Sequence, residues 1–170
     1  MTIKNIRYYT LWFIGLLFLQ VVVLSNLNAS KYVFPFAYVL VLFIFPKSIP
    51  RWLLLFIGFG LGSVVDAYLH SYGTHAFSCT IIAFIRPFLL ATVAPKDFAS
   101  DDGAITVYDL GFQKYLLYTG VLVVIHHLFV FLIDELRVDA IFTLIKQLLV
   151  SSVVTMFIIL CLQYVFNKKK

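Results

Sequence analysis

Charge is scarce in this chain. Of its 170 residues only 12% are Asp, Glu, Lys or Arg, while 62% are hydrophobic, for a mean hydropathy of +1.00. That shortage excludes a soluble domain, which would need far more polar surface to cover a core of this size. A bilayer must be the solvent, and only helices and closed barrels can span one. The period-two alternation of barrel strands is also missing, replaced by long unbroken apolar runs, so the sequence predicts an all-α integral membrane protein. Other absences narrow the reading. The two cysteines, Cys79 and Cys161, both fall within apolar runs and lack CxxC-type spacing, which argues against a disulfide. Lys4 and Arg7 precede the first apolar run, as in a secretory signal, but no small-residue cleavage site follows it and further spans do. There is no GxSxG, no supported Ser/His arrangement and no phosphate-cradling glycine loop, because no strand precedes Gly58, Gly60 and Gly62. Neither catalytic residues nor a cofactor, metal or nucleic-acid partner is expected.

What remains is a single transmembrane domain over residues 1–170, with six apolar segments at about 8–27, 33–45, 52–69, 75–94, 115–133 and 141–166. The second is short for a span and is bracketed by Pro35 and Pro46, which read as helix punctuation. A re-entrant segment is the competing reading, and loop charge arbitrates. If all six cross, Lys4, Arg7, Lys47, Arg51, Lys96, Lys114 and Lys168–Lys170 share one side, against Lys31, Arg137 and Lys146 on the other. The positive-inside rule then favours a compact bundle of six transmembrane helices with both termini cytoplasmic. Tyr8, Tyr9, Trp12, Tyr32, Trp52, Tyr68, Tyr72, Tyr115, Tyr118 and Tyr164 cluster near the predicted boundaries and suit an interfacial belt. The loop "PKDFASDDGAITVYDLGFQK", with Asp97, Asp101, Asp102 and Asp109, reads as a solvated connector able to dock a partner. The basic tail favours contact with anionic membrane lipid.

Ionisable groups inside spans are expensive and mark sites by default. Asp66 lies four residues after Gly62, which lies four after Gly58, so the three share one helix face, a small-xxx-small surface ending in a carboxylate. The expectation is a packing seam closed by a polar contact. Arg86 precedes Pro87, which frees a carbonyl one turn earlier. Arg86 therefore has three candidate roles: binding exposed carbonyls, snorkelling to the cytoplasm, or pairing with Asp66. At about 1.5 Å per residue the arginine lies about 16 Å below the outer end of its helix and the aspartate about 5 Å below its own, close to the limit of an arginine's reach. His126 and His127 sit nearer the level of Asp66, but adjacent helical residues diverge by about 100°, so at most one faces it squarely. Asp66, His70, His75, Cys79 and one of that pair would be the candidates for a metal, yet none shows the one-turn spacing of metal-binding helices.

The stretch "GFGLGSVVDAYLHSYGTHAFSCTIIAFIRP" at 58–87 resembles MreD, a family of small multispanning rod shape-determining proteins of bacteria. It is similar to that family's glycine-rich third helix ending in an aspartate, with a Gly-x-His turn and an Arg-Pro beyond it. "PFAYVLVLFIFPKSIPRW" at 35–52 is similar to the family's second helix and following loop, while Ser63 stands where a leucine is common. The resemblance covers essentially the whole chain. It implies a noncatalytic scaffold of the inner-membrane cell-elongation machinery, working with an MreC-like single-span periplasmic protein, the MreB-like actin filament, and a RodA-type glycosyltransferase with its transpeptidase. It also implies a fold like the substrate-binding subunits of energy-coupling-factor vitamin transporters. That makes a small-solute-binding subunit the alternative, with Asp66, His70, His75, His126 and His127 as its polar groups. Transport would normally also need broken helices, for which Arg86–Pro87 is the candidate.

Overall fold

The computed structural model describes residues 3–26, 32–95, 98, 103–134 and 141–167. All of its regular elements are helices. Helix α1 (Ile3–Phe18) continues through a π turn (Leu19–Val23) and a 3-10 turn (Leu24–Asn26). It is followed by a 3-10 turn (Ala37–Val39) leading into α2 (Leu40–Ile44), then α3 (Arg51–Leu69), α4 (Thr74–Val93), α5 (Val107–Leu110), α6 (Phe112–Asp134) and α7 (Ile141–Phe166). Among the described residues, five helices are long and apolar enough to cross a membrane. Of the segments used to assign topology, Lys31, Lys96, Asp97, Asp101, Asp102, Arg137 and Lys168–Lys170 lie outside the described residues.

The sixth segment expected from hydropathy is the point of departure. Over 33–45 the chain forms no membrane-length helix: residues 33–36 have no regular secondary structure, and only Ala37–Ile44 wind. The prolines explain it. Pro35 has no N–H and biases the residue before it away from helix, while Pro46 ends the run. Even if all ten residues between the two prolines were helical, they would cover only about 15 Å of a hydrocarbon core about 30 Å thick. The segment is instead the centre of the molecule. Ala37 through Ile44 are each 0% exposed. Around them α3 packs on α4, α4 on α6 and α6 on α7, forming a wall, and α1 closes the far side through its contacts with the segment.

Two ends of this bundle are distinguishable from contacts alone. At one, the Tyr8 hydroxyl donates to Asn167 Oδ1 (2.9 Å) and the Tyr9 ring stacks on Phe45 (4.8 Å between centroids). Toward the other, Gln20, buried in the π turn, donates to the Pro35 carbonyl (3.0 Å). The central segment therefore runs antiparallel to α1, and the start of α1 and the end of α7 lie together.

The expected aromatic belt and solvated connector are both partly overturned. Trp52, Tyr68, Tyr72 and Tyr164 are exposed, but Tyr9, Tyr115 and Tyr118 are core residues. In the 95–114 loop, Ile105, Val107 and Leu110 are buried, and the Ile105 amide donates to the Ile44 carbonyl (3.0 Å). Asp109 is not free acidic surface: it closes a capping box with Thr106 at the start of α5. This part of the loop is a plug on the end of the central segment.

Candidate functional site

A partly non-helical backbone inside a bundle must find partners for its N–H and C=O groups, since lipid offers none. The polar side chains of the long helices supply them. Ser151 Oγ accepts from the Phe34 amide (3.0 Å) and donates to the Tyr32 carbonyl (3.2 Å). Thr155 Oγ1 accepts from the Phe36 amide (3.1 Å), and Gln20 serves Pro35. At the other end of the segment, the Tyr118 hydroxyl donates to the Phe43 carbonyl (3.2 Å). Arg86 donates through Nε to Tyr118 (2.8 Å) and through its terminal nitrogen to the carbonyls of Phe43 and Phe45. Of the roles open to Arg86, the structure selects carbonyl binding, and the carbonyls belong to the central segment rather than to the turn before Pro87. The planar guanidinium, with donors on several nitrogens, suits this convergence in a way an ammonium does not.

Asp66 is elsewhere, and no ion pair joins it to Arg86. It lies in the last turn of α3, and its carboxylate accepts from the Ser71 hydroxyl (2.6 Å), the His75 amide (3.0 Å) and the Ala76 amide (2.8 Å). The two amides are orphan donors of the first turn of α4, so a carboxylate from one helix caps the next, at the positive end of its dipole. The turn between them is sharp: His70 has φ 56°, and Gly73 has φ 89°. The glycines make this approach possible. A Cβ on Gly62 would lie 2.4 Å from the His75 carbonyl and from Ala76 Cα, and one on Gly58 would lie 3.0 Å from the Cys79 carbonyl. Gly60 faces away, with nothing within 4 Å.

The histidines form a third cluster, which adjoins the Asp66 seam through His75, whose amide Asp66 caps and whose ring faces Tyr38. Tyr38, on the central segment, places its hydroxyl between His75 Nδ1 (2.8 Å) and His126 Nε2 (2.9 Å), with Cys79 Sγ 3.8 Å from both the hydroxyl and His126. His127 turns the other way. Its Nδ1 faces the Val123 carbonyl (2.9 Å) and must donate, leaving Nε2 to accept from Thr155 Oγ1 (3.1 Å). Thr155 thus relays one chain, from the Phe36 amide through its hydroxyl to His127. Both histidines are fully buried; His126 Nδ1 has no partner. His70 is an exposed helix-end residue and joins none of these. Among the described residues no three His, Cys, Asp or Glu side chains are placed to hold a metal.

The structure therefore brings Gly58, Gly62 and Asp66 together at the α3–α4 seam, sets Arg86 on the central segment, and sends His126 and His127 to different partners. Sequence reasoning missed Gln20, Tyr38, Tyr118, Ser151 and Thr155. Their one available signal was polarity at membrane depth, which hydroxyl and amide residues carry only weakly. Compared with protein-family models, curated proteins and solved structures, the chain matches none.

Proposed function

We propose that this protein is a noncatalytic membrane scaffold of the bacterial cell-elongation complex, lodged in the inner membrane. On this reading its helix faces hold an MreC-like periplasmic partner and the wall synthases in register with cytoplasmic filaments. The observation that carries it is the use made of the interior. The centre of the bundle, where a solute-binding subunit would need space, is filled by residues 37–44 at 0% exposure. Asp66, Arg86, Tyr118, Ser151 and Thr155 are engaged in fastening that segment and the α3–α4 seam. Meanwhile large apolar residues, including Phe56, Phe59, Phe84, Phe142 and Phe157, face outward, as lipid- or partner-facing surfaces require. The resemblance of residues 58–87 to the MreD pattern supplies the biological assignment.

In this reading the chain crosses six times, the second time only partly as helix. Contacts at Tyr9 and Gln20 put the central segment antiparallel to α1 across about 16 Å, eleven residues of helix rise. The pairing of Tyr8 with Asn167 supports an even number of crossings, and the excess of Lys and Arg at that end assigns it to the cytoplasm.

Mild-detergent affinity purification of the tagged protein from its native cells tests the function. Recovery of a single-span coiled-coil periplasmic protein with wall synthases is the expected outcome. Recovery of an ATP-binding-cassette module or a stoichiometric metabolite would overturn it.

A further inference from the structure

The cluster around Tyr38 places a thiol where hydrogen bonding gives it little to do. Tyr38 belongs to the central segment, Cys79 to α4 and His126 to α6, and all three are 0% exposed. Their polar atoms form a triangle: Tyr38 Oη lies 2.9 Å from His126 Nε2, and Cys79 Sγ lies 3.8 Å from each. A thiol has one proton and is a weak donor, so as a hydrogen-bonding group Cys79 cannot serve both neighbours. As the corner of a coordination site it is well placed. The point equidistant from the three atoms lies about 2.1 Å from each. Zinc bonds to nitrogen and oxygen are about 2.0–2.2 Å long, and those to sulfur about 2.3 Å.

We propose that Tyr38, Cys79 and His126 bind one divalent cation of the zinc class, pinning the central segment to α4 and α6. Imidazole and thiolate together select a borderline-soft ion, and the harder phenolate oxygen disfavours Cu(I). Binding displaces two protons to solvent, from the Cys79 thiol and the Tyr38 hydroxyl. Thiolate and phenolate then neutralise the ion, which leaves no net charge at membrane depth. His75 Nδ1, 2.8 Å from the hydroxyl, donates to the phenolate and holds it. The His75 backbone is fixed in turn by Asp66, which accepts from its amide. Arg86, seven residues further along α4 and so about 10 Å away, is engaged with the carbonyls of Phe43 and Phe45. Sequence spacing hides such a site, because its ligands come from three elements and one of them is a tyrosine. The inference does not depend on the scaffold role.

The full chain carrying Cys161→Ala, which leaves Cys79 as its one thiol, is purified in detergent through a histidine-free tag, stripped with chelator and titrated with Co²⁺ and then Zn²⁺. One equivalent of Co²⁺ should bind and give a thiolate-to-cobalt charge-transfer absorption that one equivalent of Zn²⁺ removes. Either ion should raise the unfolding temperature, since it binds the folded state. Cys79→Ser should abolish the absorption, and Tyr38→Phe or His126→Gln should weaken Zn²⁺ binding about a hundredfold or more. His75→Gln acts only through the phenolate and should weaken it about tenfold to a hundredfold. His70→Gln, at an exposed position outside the cluster, should change nothing. Absence of the absorption in the parent chain overturns the proposal whatever the variants do. So does absorption that survives Cys79→Ser, or Zn²⁺ binding undiminished by Tyr38→Phe and His126→Gln in chains that still unfold cooperatively.

Discussion

Three donors converge on the carboxylate of Asp66, two of them backbone amides that helix geometry leaves without partners. Asp66→Asn keeps the shape but turns an N–H₂ toward an amide donor, and should cost about 2–3 kcal/mol in thermal unfolding of the detergent-solubilised protein. A change near zero would mean the cap is dispensable. Thr155 offers a second test at this scale, because one hydroxyl both accepts from Phe36 and donates to His127. Thr155→Val, nearly isosteric, orphans both partners at about 1–3 kcal/mol each. Thr155→Ser keeps the hydroxyl and should stay close to wild type. Equal losses for the two variants would show that packing rather than the hydrogen bonds matters there.

At the scale of elements, the close packing of α3 on α4 depends on where each glycine points. Gly62→Ala drives a methyl into the backbone at His75 and Ala76, neither of which can yield without parting the helices. A loss of about 3 kcal/mol or more is expected, at or beyond the upper range for overpacking. Gly58→Ala, with its nearest contacts at 3.0 and 3.1 Å, should cost less. Gly60→Ala meets open space and should stabilise by about 0.5–1 kcal/mol through helix propensity alone. Unfolding temperatures in the order Gly60→Ala, wild type, Gly58→Ala, Gly62→Ala check this, and any other order refutes the seam. The face shared by Gly58, Gly62 and Asp66 was legible from four-residue spacing. That the seam closes against the very next helix was not, because spacing fixes a face and says nothing of its partner.

For the whole molecule, the arrangement of ends predicts labelling. Lys47 and Tyr72 are exposed and lie at opposite ends of α3. In a Cys161→Ala background, with Cys79 buried, Tyr72→Cys should react with a membrane-impermeant maleimide on intact spheroplasts. Lys47→Cys should react only after permeabilisation. Labelling of both from outside would mean that α3 does not cross, and the reverse pattern would invert the proposed topology.

The sequence alone determined the solvent and the class of fold, because composition and unbroken apolar runs are summed over many residues and do not depend on who touches whom. It also marked Asp66 and Arg86 as costly, since a charge in a span is costly wherever the span sits. Only the tertiary structure decided what those charges serve. Pro35 and Pro46 leave the residues between them too short to cross as a helix, so that segment becomes a partly non-helical core whose backbone must be satisfied from outside itself. Arg86, Tyr118, Ser151, Thr155 and Gln20 answer that need from four different helices. Their roles are set by hydrogen bonds to residues as many as 119 positions away, a relation no local pattern encodes.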